Sequence, residues 1–229
     1  YVSIYYKRMP ASDPNCARQG KACVTLPNGL RYIFGHNMLD PAQTPTGSFY
    51  FNCDGPGAVP GHYPDIVTAA KNCPIGARLG AVIVAPDCWD GKNLDSADHR
   101  SHVAYPSYGW WGYLKCPDTH PYVIPHFQLA AWYTTDAALD RSGNWDPNTT
   151  RTWSLSSDQM PGMPPARPGT TFHADWFGAW DNSVQAMWVD NCINKLLNCS
   201  GGDLGNGKQI RQSFPFSWTA NPRLVAIPS

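Results

Sequence analysis

The stretch Ala81-Val82-Ile83-Val84-Ala85 decides the fold class of this 229-residue chain. It is a short, continuous apolar run, which is the signature of a buried β-strand. It is also far shorter than the roughly 20 apolar residues that cross a bilayer. The stretch therefore predicts a protein built around buried strands, without a membrane span.

Residues elsewhere in the chain alternate with a period of two, the spacing at which successive side chains point to opposite faces of a strand. This alternation recurs at 2–6, 30–34, 49–51 and 127–133. Turn-forming residues separate these segments, within totals of 20 Gly and 22 Pro, and they predict short strands and long loops. The pattern favours an antiparallel β-sandwich.

One segment, 181–199, has a helical pattern instead. Its apolar residues recur at helical spacing: Val184, Met187, Trp188, Cys192 and Leu196. Asp181 or Ser183 is suited to cap its start.

We therefore predict an all-β fold, a disulfide-stapled antiparallel β-sandwich with long loops and one C-terminal helix. Residues 1–199 are predicted to form this single domain, and 200–229 a C-terminal extension that regains apolar residues and packs back on it.

The eight cysteines are an even set without a Cys-x-x-Cys spacing, which favours disulfides over a zinc site. Their order along the chain allows four local pairs: Cys16 with Cys23, Cys53 with Cys73, Cys88 with Cys116, and Cys192 with Cys199. About 105 connectivities remain open in principle. Each bridge is expected to stabilise the fold by roughly 2–4 kcal/mol. Disulfides also imply an oxidising compartment.

Composition points to a secreted protein with an uncharged partner. Lys plus Arg and Asp plus Glu both number 17, so no basic surface is available for nucleic acid or anionic lipid. Two N-glycosylation sequons, at Asn148 and Asn198, fit a secreted glycoprotein. The chain begins without methionine, directly in the strand-like residues 1–6, and we expect that an upstream segment has been removed.

The segment 88–106 holds the densest set of groups suited to chemistry, in a loop that follows the apolar stretch quoted above. It contains Asp98, His99 and His102, with Asp95 as a second carboxylate. A neutral histidine pair beside a carboxylate is suited to bind a divalent metal or to transfer a proton near neutral pH. The alternative is structural, because Asp and Ser in such loops often bind local backbone amides and a histidine completes the network.

Two further groups extend this candidate site. His173 and Asp175 share a face on a predicted strand, the arrangement in which a carboxylate orients an imidazole. Aromatic rings, which stack on sugars when exposed, cluster among glycines: Tyr108, Trp110, Trp111 and Tyr113. The alternative for this cluster is that its tryptophans fill the core. We expect only solvated or structural roles for the remaining histidines: His36, His62, His120 and His126.

Familiar hydrolytic and nucleotide-binding motifs are absent from the sequence, which has no Gly-x-Ser-x-Gly, P-loop, Rossmann fingerprint or His-Glu-x-x-His. Glutamate is absent altogether. A glycosidase mechanism based on paired carboxylates would therefore depend on two aspartates.

Several motifs together resemble the secreted family known as domain of unknown function 1996. They are 88–106, 116–121, and 173–175 followed by 180–181. Members of that family are common in fungi, occur in bacteria and often lie beside carbohydrate-binding modules. The resemblance covers residues 1 to about 199. It implies that the imidazoles of the candidate site converge, but it supplies no reaction.

The chain departs from the family pattern at two places. Members carry a histidine-x-histidine pair upstream of the first strand, and this sequence has no counterpart to it. Residues 176–179, Trp-Phe-Gly-Ala, also replace the usual ones. If the missing histidines belong to the family's site, this chain holds half of that site.

Two classes of function fit these observations. The first is a secreted protein that binds or processes polysaccharide, in which His99, His102 and His173 meet around one solvent-reachable volume and the aromatic cluster holds the glycan. The second is a non-catalytic structural or fibre-forming glycoprotein whose first strand pairs with a neighbouring chain. The first predicts exposed rings beside the histidines, and the second predicts buried histidines with self-association. A plain glycan-binding module is a third alternative.

Overall fold

The computed structural model describes residues 1–109, 112–199 and 202–210. The strands are β1 (Val2–Lys7), β2 (Ala22–Cys23), β3 (Arg31–Gly35), β4 (Phe49–Asp54), β5 (Arg78–Val84), β6 (Cys88–Trp89), β7 (Val103–Ala104), β8 (Ser107–Tyr108), β9 (Leu114–Lys115), β10 (Tyr122–Val123), β11 (His126–Thr134) and β12 (His173–Phe177). The α-helices are α1 (Asn15–Gln19), α2 (Ile66–Ala70) and α3 (Asn182–Trp188). Turns of 3-10 helix lie at Pro41–Gln43 and Ser156–Gln159, and a π-helical turn lies at Val189–Ile193. The predicted all-β class is confirmed.

The apolar stretch 81–85 begins within β5, an interior strand of the main sheet. The strand order of that sheet is β1-β11-β5-β4, and every pair is antiparallel. Ile83 of β5 lies between Leu129 of β11 and Phe49 of β4. Residues 79–83 are all buried. Ala81 and Ile83 pack into the core, and Gly80 on the other face lies beneath the Trp132 ring, so this interior strand has no need of polar residues.

A second layer, the β3–β12 ribbon, packs on one face of the main sheet. Tyr32 and Phe34 of β3 are buried against Phe127 of β11, with the Phe34 and Phe127 ring centroids 5.8 Å apart. Trp176 of β12 approaches Phe127 more closely, at 4.5 Å. Each fully buried side chain of this size contributes about 1.5–3 kcal/mol. This layer completes the predicted sandwich.

A smaller sheet, in the order β2-β10-β6-β7, carries two of the disulfides. Its β2–β10 pair is parallel, an exception to the predicted antiparallel pairing. All four predicted cysteine pairs are present: Cys16–Cys23, Cys53–Cys73, Cys88–Cys116 and Cys192–Cys199. The local pairing that the sequence allowed is therefore confirmed.

The C-terminal helix is shorter than the predicted 181–199. Asp181 caps its start, as predicted, by accepting hydrogen bonds from the backbone amides of Ser183 and Val184. The helical turns end at Ile193. In a continuous helix, residues seven apart are separated by about 10 Å. The Cys192–Cys199 disulfide instead holds its Cα atoms 5.9 Å apart, so the chain must turn back.

Part of the predicted C-terminal extension is described, namely residues 202–210. Leu204 is buried there, and Gly205 lies against the backbone of Asn191 in the π-helical turn. The rest of the extension lies outside the described residues. Among the helices that the structure describes, none combines the length and the apolar character needed to cross a membrane.

Candidate functional site

The Asp/His loop, defined as residues 94–102, lies along one edge of β3. The other edge of β3 pairs with β12. The Arg31 amide donates to the carbonyl oxygen of Leu94 at 3.0 Å, and the Ile33 amide donates to that of His99 at 2.8 Å. The loop thus takes the place of a neighbouring strand, and β3 fixes its position.

Asp98 holds the turn inside this loop. Its Oδ1 accepts hydrogen bonds from the Arg100 amide and from both the amide and the hydroxyl of Ser101, at 2.9–3.0 Å, and it lies 2.7 Å from the Ser96 hydroxyl oxygen. Burial alone would raise the pKa of this carboxyl, but these hydrogen bonds outweigh it and hold the pKa far below its usual value. Asp98 is therefore ionised at any physiological pH. Its Oδ1 is occupied by donors from within the loop.

His102 is buried within the loop, with 1% of its surface exposed. Its Nε2 lies 2.9 Å from the Arg31 carbonyl oxygen, and its Nδ1 lies 2.7 Å from the Ser96 hydroxyl oxygen. Since a carbonyl oxygen only accepts, Nε2 carries a proton. Burial lowers the pKa of this imidazole, which favours the neutral form. Both nitrogens have partners inside the protein, so His102 offers neither of them to a ligand.

His99 has the opposite environment. Its side chain is 53% exposed, and its Nδ1 lies 2.7 Å from Oδ1 of Asp95. The other oxygen of Asp95 accepts a hydrogen bond from Nε of Arg31 at 2.9 Å. The hydrogen bond from His99 is the main cause of a lowered pKa at Asp95. We refer to this pair as the Asp95–His99 couple.

The backbone of His99 is strained. Its φ is +53°, in the left-handed region that residues other than Gly rarely adopt. The conformation is held at both ends, because the His99 amide donates to the Ser96 carbonyl and the His99 carbonyl accepts from Ile33. Such strain costs of order 1–3 kcal/mol and is concentrated at functional sites in proteins.

The second predicted group, His173 and Asp175 of β12, lies on the opposite side of β3 from the Asp/His loop. Asp175 of β12 is exposed and pairs with Ile33, whose amide binds the carbonyl of His99 on the opposite edge. Two strand spacings place the backbones of Asp175 and His99 roughly 10 Å apart. His173 and Asp175 share a face, but Nδ1 of His173 lies 2.9 Å from the Thr171 carbonyl oxygen. A backbone carbonyl, rather than the expected carboxylate, orients this imidazole.

Arg100 and His36 belong to the same neighbourhood and were missed by sequence reasoning. Arg100 donates from its two terminal nitrogens to the carbonyl oxygens of Gly35 and His36, at 3.2 and 2.9 Å. Burial, followed by the neighbouring His173 and the Arg100 guanidinium, lowers the pKa of His36. Arg100 and His36 are 64 positions apart in the sequence, so no local pattern signals this contact.

The predicted convergence of three imidazoles is thus only partial. His99 and His173 lie on the two sides of β3, but His102 is enclosed with its own partners and shares no solvent-reachable volume with them. Within the described part of the chain, no three His, Cys or Asp side chains are grouped closely enough to hold a metal ion. The arrangement is suited to proton transfer at the Asp95–His99 couple.

The described members of the predicted aromatic cluster, Tyr108 and Tyr113, lie on the β8–β9 hairpin. Tyr108 and Tyr113 are both exposed, and the Arg18 guanidinium lies 5.4 Å from the centre of the Tyr113 ring. Trp110 and Trp111, the other predicted members, lie outside the described residues. The sequon residues Asn148 and Asn198 are exposed, which glycosylation requires.

A groove of about 570 Å³ lies away from these residues, between the segments 145–154 and 159–168. Trp145, Arg151 and Met163 are among its lining residues. None of the predicted catalytic residues lines it. The sequence did not predict this groove.

Comparison with known families identifies the chain. The family model described as Domain of unknown function (DUF1996) matches residues 1–180. The match covers more than half of the chain, and the protein therefore belongs to this family, as its motifs indicated. No curated protein and no solved structure matches it.

Proposed function

We propose that this family member is an extracellular protein that binds a neutral polysaccharide and processes it by proton transfer at His99. The observation that carries the proposal is the Asp95–His99 couple. An ionised Asp95 only accepts, so Nδ1 of His99 donates to it and Nε2 of the neutral ring keeps a lone pair. No described partner occupies Nε2, and the side chain is half exposed. A carboxylate-oriented imidazole of this kind is a general base.

The rest of the chain supports an extracellular setting and an uncharged substrate. Four disulfides imply an oxidising compartment. The formal net charge of zero gives no attraction to an anionic or cationic polymer. The exposed rings of Tyr108 and Tyr113 are suited to stack on sugars.

The predicted catalytic residues have different roles in this proposal. His99 accepts the proton from a bound water or sugar hydroxyl, and Asp95, itself held by Arg31, orients it. Asp175 and His173 are the polar groups that face substrate on the far side of β3. Asp98 and His102 are positioning residues, because their bonds shape the loop that presents His99.

The test incubates the protein with insoluble β-1,3-glucan, α-1,3-glucan, cellulose and chitin, and measures released oligosaccharides by mass spectrometry. Asp95→Asn and His99→Ala are each expected to lower the rate about 100-fold or more, the range for removal of a general base or its orienting group.

A matched control separates this role from a general loss of structure. Asp118→Asn removes an exposed carboxylate whose described partner is Lys115. This variant is expected to leave the rate unchanged. Full activity in His99→Ala, or no product from any polysaccharide with the unaltered protein, would contradict the proposal.

One observation favours a second candidate function, self-assembly through β1. The Tyr1 and Trp132 backbones exchange two hydrogen bonds, so in the antiparallel ladder the alternate residues Val2, Ile4 and Tyr6 direct their amides and carbonyls away from β11. No described strand pairs with that edge, and the side chains of Val2 and Ile4 are exposed. An apolar, unprotected edge is suited to pair with a second copy.

Analytical ultracentrifugation tests this candidate. Ile4→Lys places a charge on the edge and is expected to convert an assembled species to a monomer. A monomeric unaltered protein over the whole concentration range would exclude it.

A further inference from the structure

The main sheet has one face that none of the described hydrophobic clusters covers. Phe51, Leu79 and Phe127 point into the core on one side, so the alternate residues point to the other. We call this second side the open face. Its members include Tyr1, Ser3, Tyr5, Tyr50, Asn52, Gly80, Gln128 and Trp132, with the buried Val82 and Ala130 between them. A solvated sheet face is usually polar, whereas this one is rich in aromatic rings.

Trp132 lies flat on this face. A Cβ atom built on Gly80, its partner in β5, would meet three atoms of the indole ring at 2.7–2.8 Å. Three ring atoms at nearly equal distance mean that one face of the ring rests on the glycine backbone. The opposite face of the indole therefore points outward. Only glycine at position 80 permits this orientation.

Other rings extend the surface around Trp132. The Tyr1 ring lies nearly parallel to it, at an interplanar angle of 21° and a centroid distance of 6.4 Å. Further along the sheet the His62 ring stacks on Tyr50 at 3.7 Å. Gln128 and Trp132 are four residues apart on one strand face, a distance of about 13 Å. The surface between Gln128 and Trp132 has the length of a short oligosaccharide.

The electrostatics of the open face favour an uncharged occupant. At the end near Trp132, Arg78 and Asp54 form an ion pair, and the Arg78 guanidinium also lies 5.6 Å from the centre of the Tyr1 ring. At the other end His126 faces Asp87. The described acidic and basic groups are thus balanced, and the face has no net attraction for a charged polymer.

We propose that the open face is a stacking platform for a neutral polysaccharide, with Trp132 as its principal ring. Flat exposed rings contact the apolar faces of pyranose rings, and the amides of Gln128 and Asn52 supply hydrogen bonds at its margins. This inference rests on the proposed function, because it gives the same substrate class a second, non-catalytic binding surface.

The test measures retention of the protein on the same four insoluble polysaccharides. Trp132→Ala is expected to weaken binding about tenfold, and Trp132→Phe less, because it keeps a ring. Trp145→Ala, a tryptophan of the separate groove, is the matched control and is expected to bind normally. His99→Ala is expected to bind normally while it releases product about 100-fold more slowly, which separates the platform from the reaction.

A second readout uses the unaltered protein, so that it does not depend on whether a variant folds. Bound polysaccharide is expected to protect Trp132 from oxidation by N-bromosuccinimide, with peptide mass spectrometry locating the modified residue. Unaltered binding by Trp132→Ala, together with unprotected Trp132, would overturn the platform and leave the proposed function standing.

The remaining outcomes also overturn the inference. Weakened binding in Trp145→Ala alone would place the glycan in the groove. Conversion of a dimer to a monomer by Trp132→Ala would mean that a second copy covers the face. Failure of the unaltered protein to bind any of the polysaccharides would remove both this inference and the proposed function.

Discussion

His99 and His102 lie three residues apart in one loop, yet their surroundings differ in every respect. His102 is 1% exposed with both ring nitrogens bonded, whereas the side chain of His99 is 53% exposed with only Nδ1 bonded. The first imidazole completes a buried network, and the second keeps a nitrogen for chemistry. The number of hydrogen-bond partners that the ring nitrogens have within the protein, rather than the residue type, therefore separates a structural histidine from a candidate base.

The buried histidine is coupled to Asp98 through one hydroxyl group. The Ser96 oxygen lies 2.7 Å from both Oδ1 of Asp98 and Nδ1 of His102, but it has a single hydrogen to donate. With neutral His102, which already carries its proton on Nε2, Ser96 must donate to Nδ1. With protonated His102, Ser96 is released to donate to Asp98. The charge of His102 therefore selects the partner of Ser96.

The largest effect on stability is expected from His102→Ala. Removal of this ring leaves the Arg31 carbonyl and the Ser96 hydroxyl without their partner and opens a cavity, so the free energy of unfolding should fall by about 2–4 kcal/mol. Urea denaturation measures this value. His99→Ala is the matched control, with an expected loss below about 1 kcal/mol. Equal losses in the two variants would remove the distinction between the two histidines.

A smaller effect is expected from pH. Burial lowers the pKa of His102 and of His36 in the folded state, so in the window below the unfolded value of about 6.5 the unfolded chain binds protons that the folded chain does not. The free energy of unfolding should therefore decrease as pH falls from about 7 towards the lowered pKa values. Urea denaturation across this range measures the slope.

The variant His102→Gln provides the control for this pH dependence. It keeps a polar side chain but cannot titrate, so the slope between neutral and mildly acidic pH should become shallower. An unchanged slope in that variant would mean that other groups cause the pH dependence.

The smallest effect concerns the strained backbone of His99. At a φ of +53°, glycine is favoured over alanine, so His99→Gly should be about 1 kcal/mol more stable than His99→Ala. At His120, which is not in the left-handed region, the order should reverse. Thermal unfolding of the four variants checks both comparisons. The same order at both positions would contradict the strain assigned to His99.

Much of the fold could be predicted from the sequence, because the patterns that specify strands, disulfides and caps are local. The apolar run at 81–85 and the alternation at 127–133 correspond to β5 and β11, the two interior strands of the main sheet. Cysteines that are neighbours in the sequence are bonded to each other. Asp181 was recognisable as a helix cap, although the Cys192–Cys199 bridge shortens the helix that follows.

The candidate site was harder to predict from the sequence, because its geometry depends on contacts between distant segments. Arg31 reaches Asp95 only because β3 accepts the Asp/His loop along its edge. The shared face of His173 and Asp175 was predicted from strand periodicity. That periodicity gives no information on which acceptor reaches the imidazole, and the Thr171 carbonyl does so.

The Cys88–Cys116 disulfide encloses both the Asp/His loop and the aromatic hairpin in one covalent ring of the chain. The main sheet is built entirely from strands outside that ring, but the buried His102 and Val103 anchor the ring to the domain. One covalent closure therefore holds the candidate base and the exposed tyrosines on the same part of the domain.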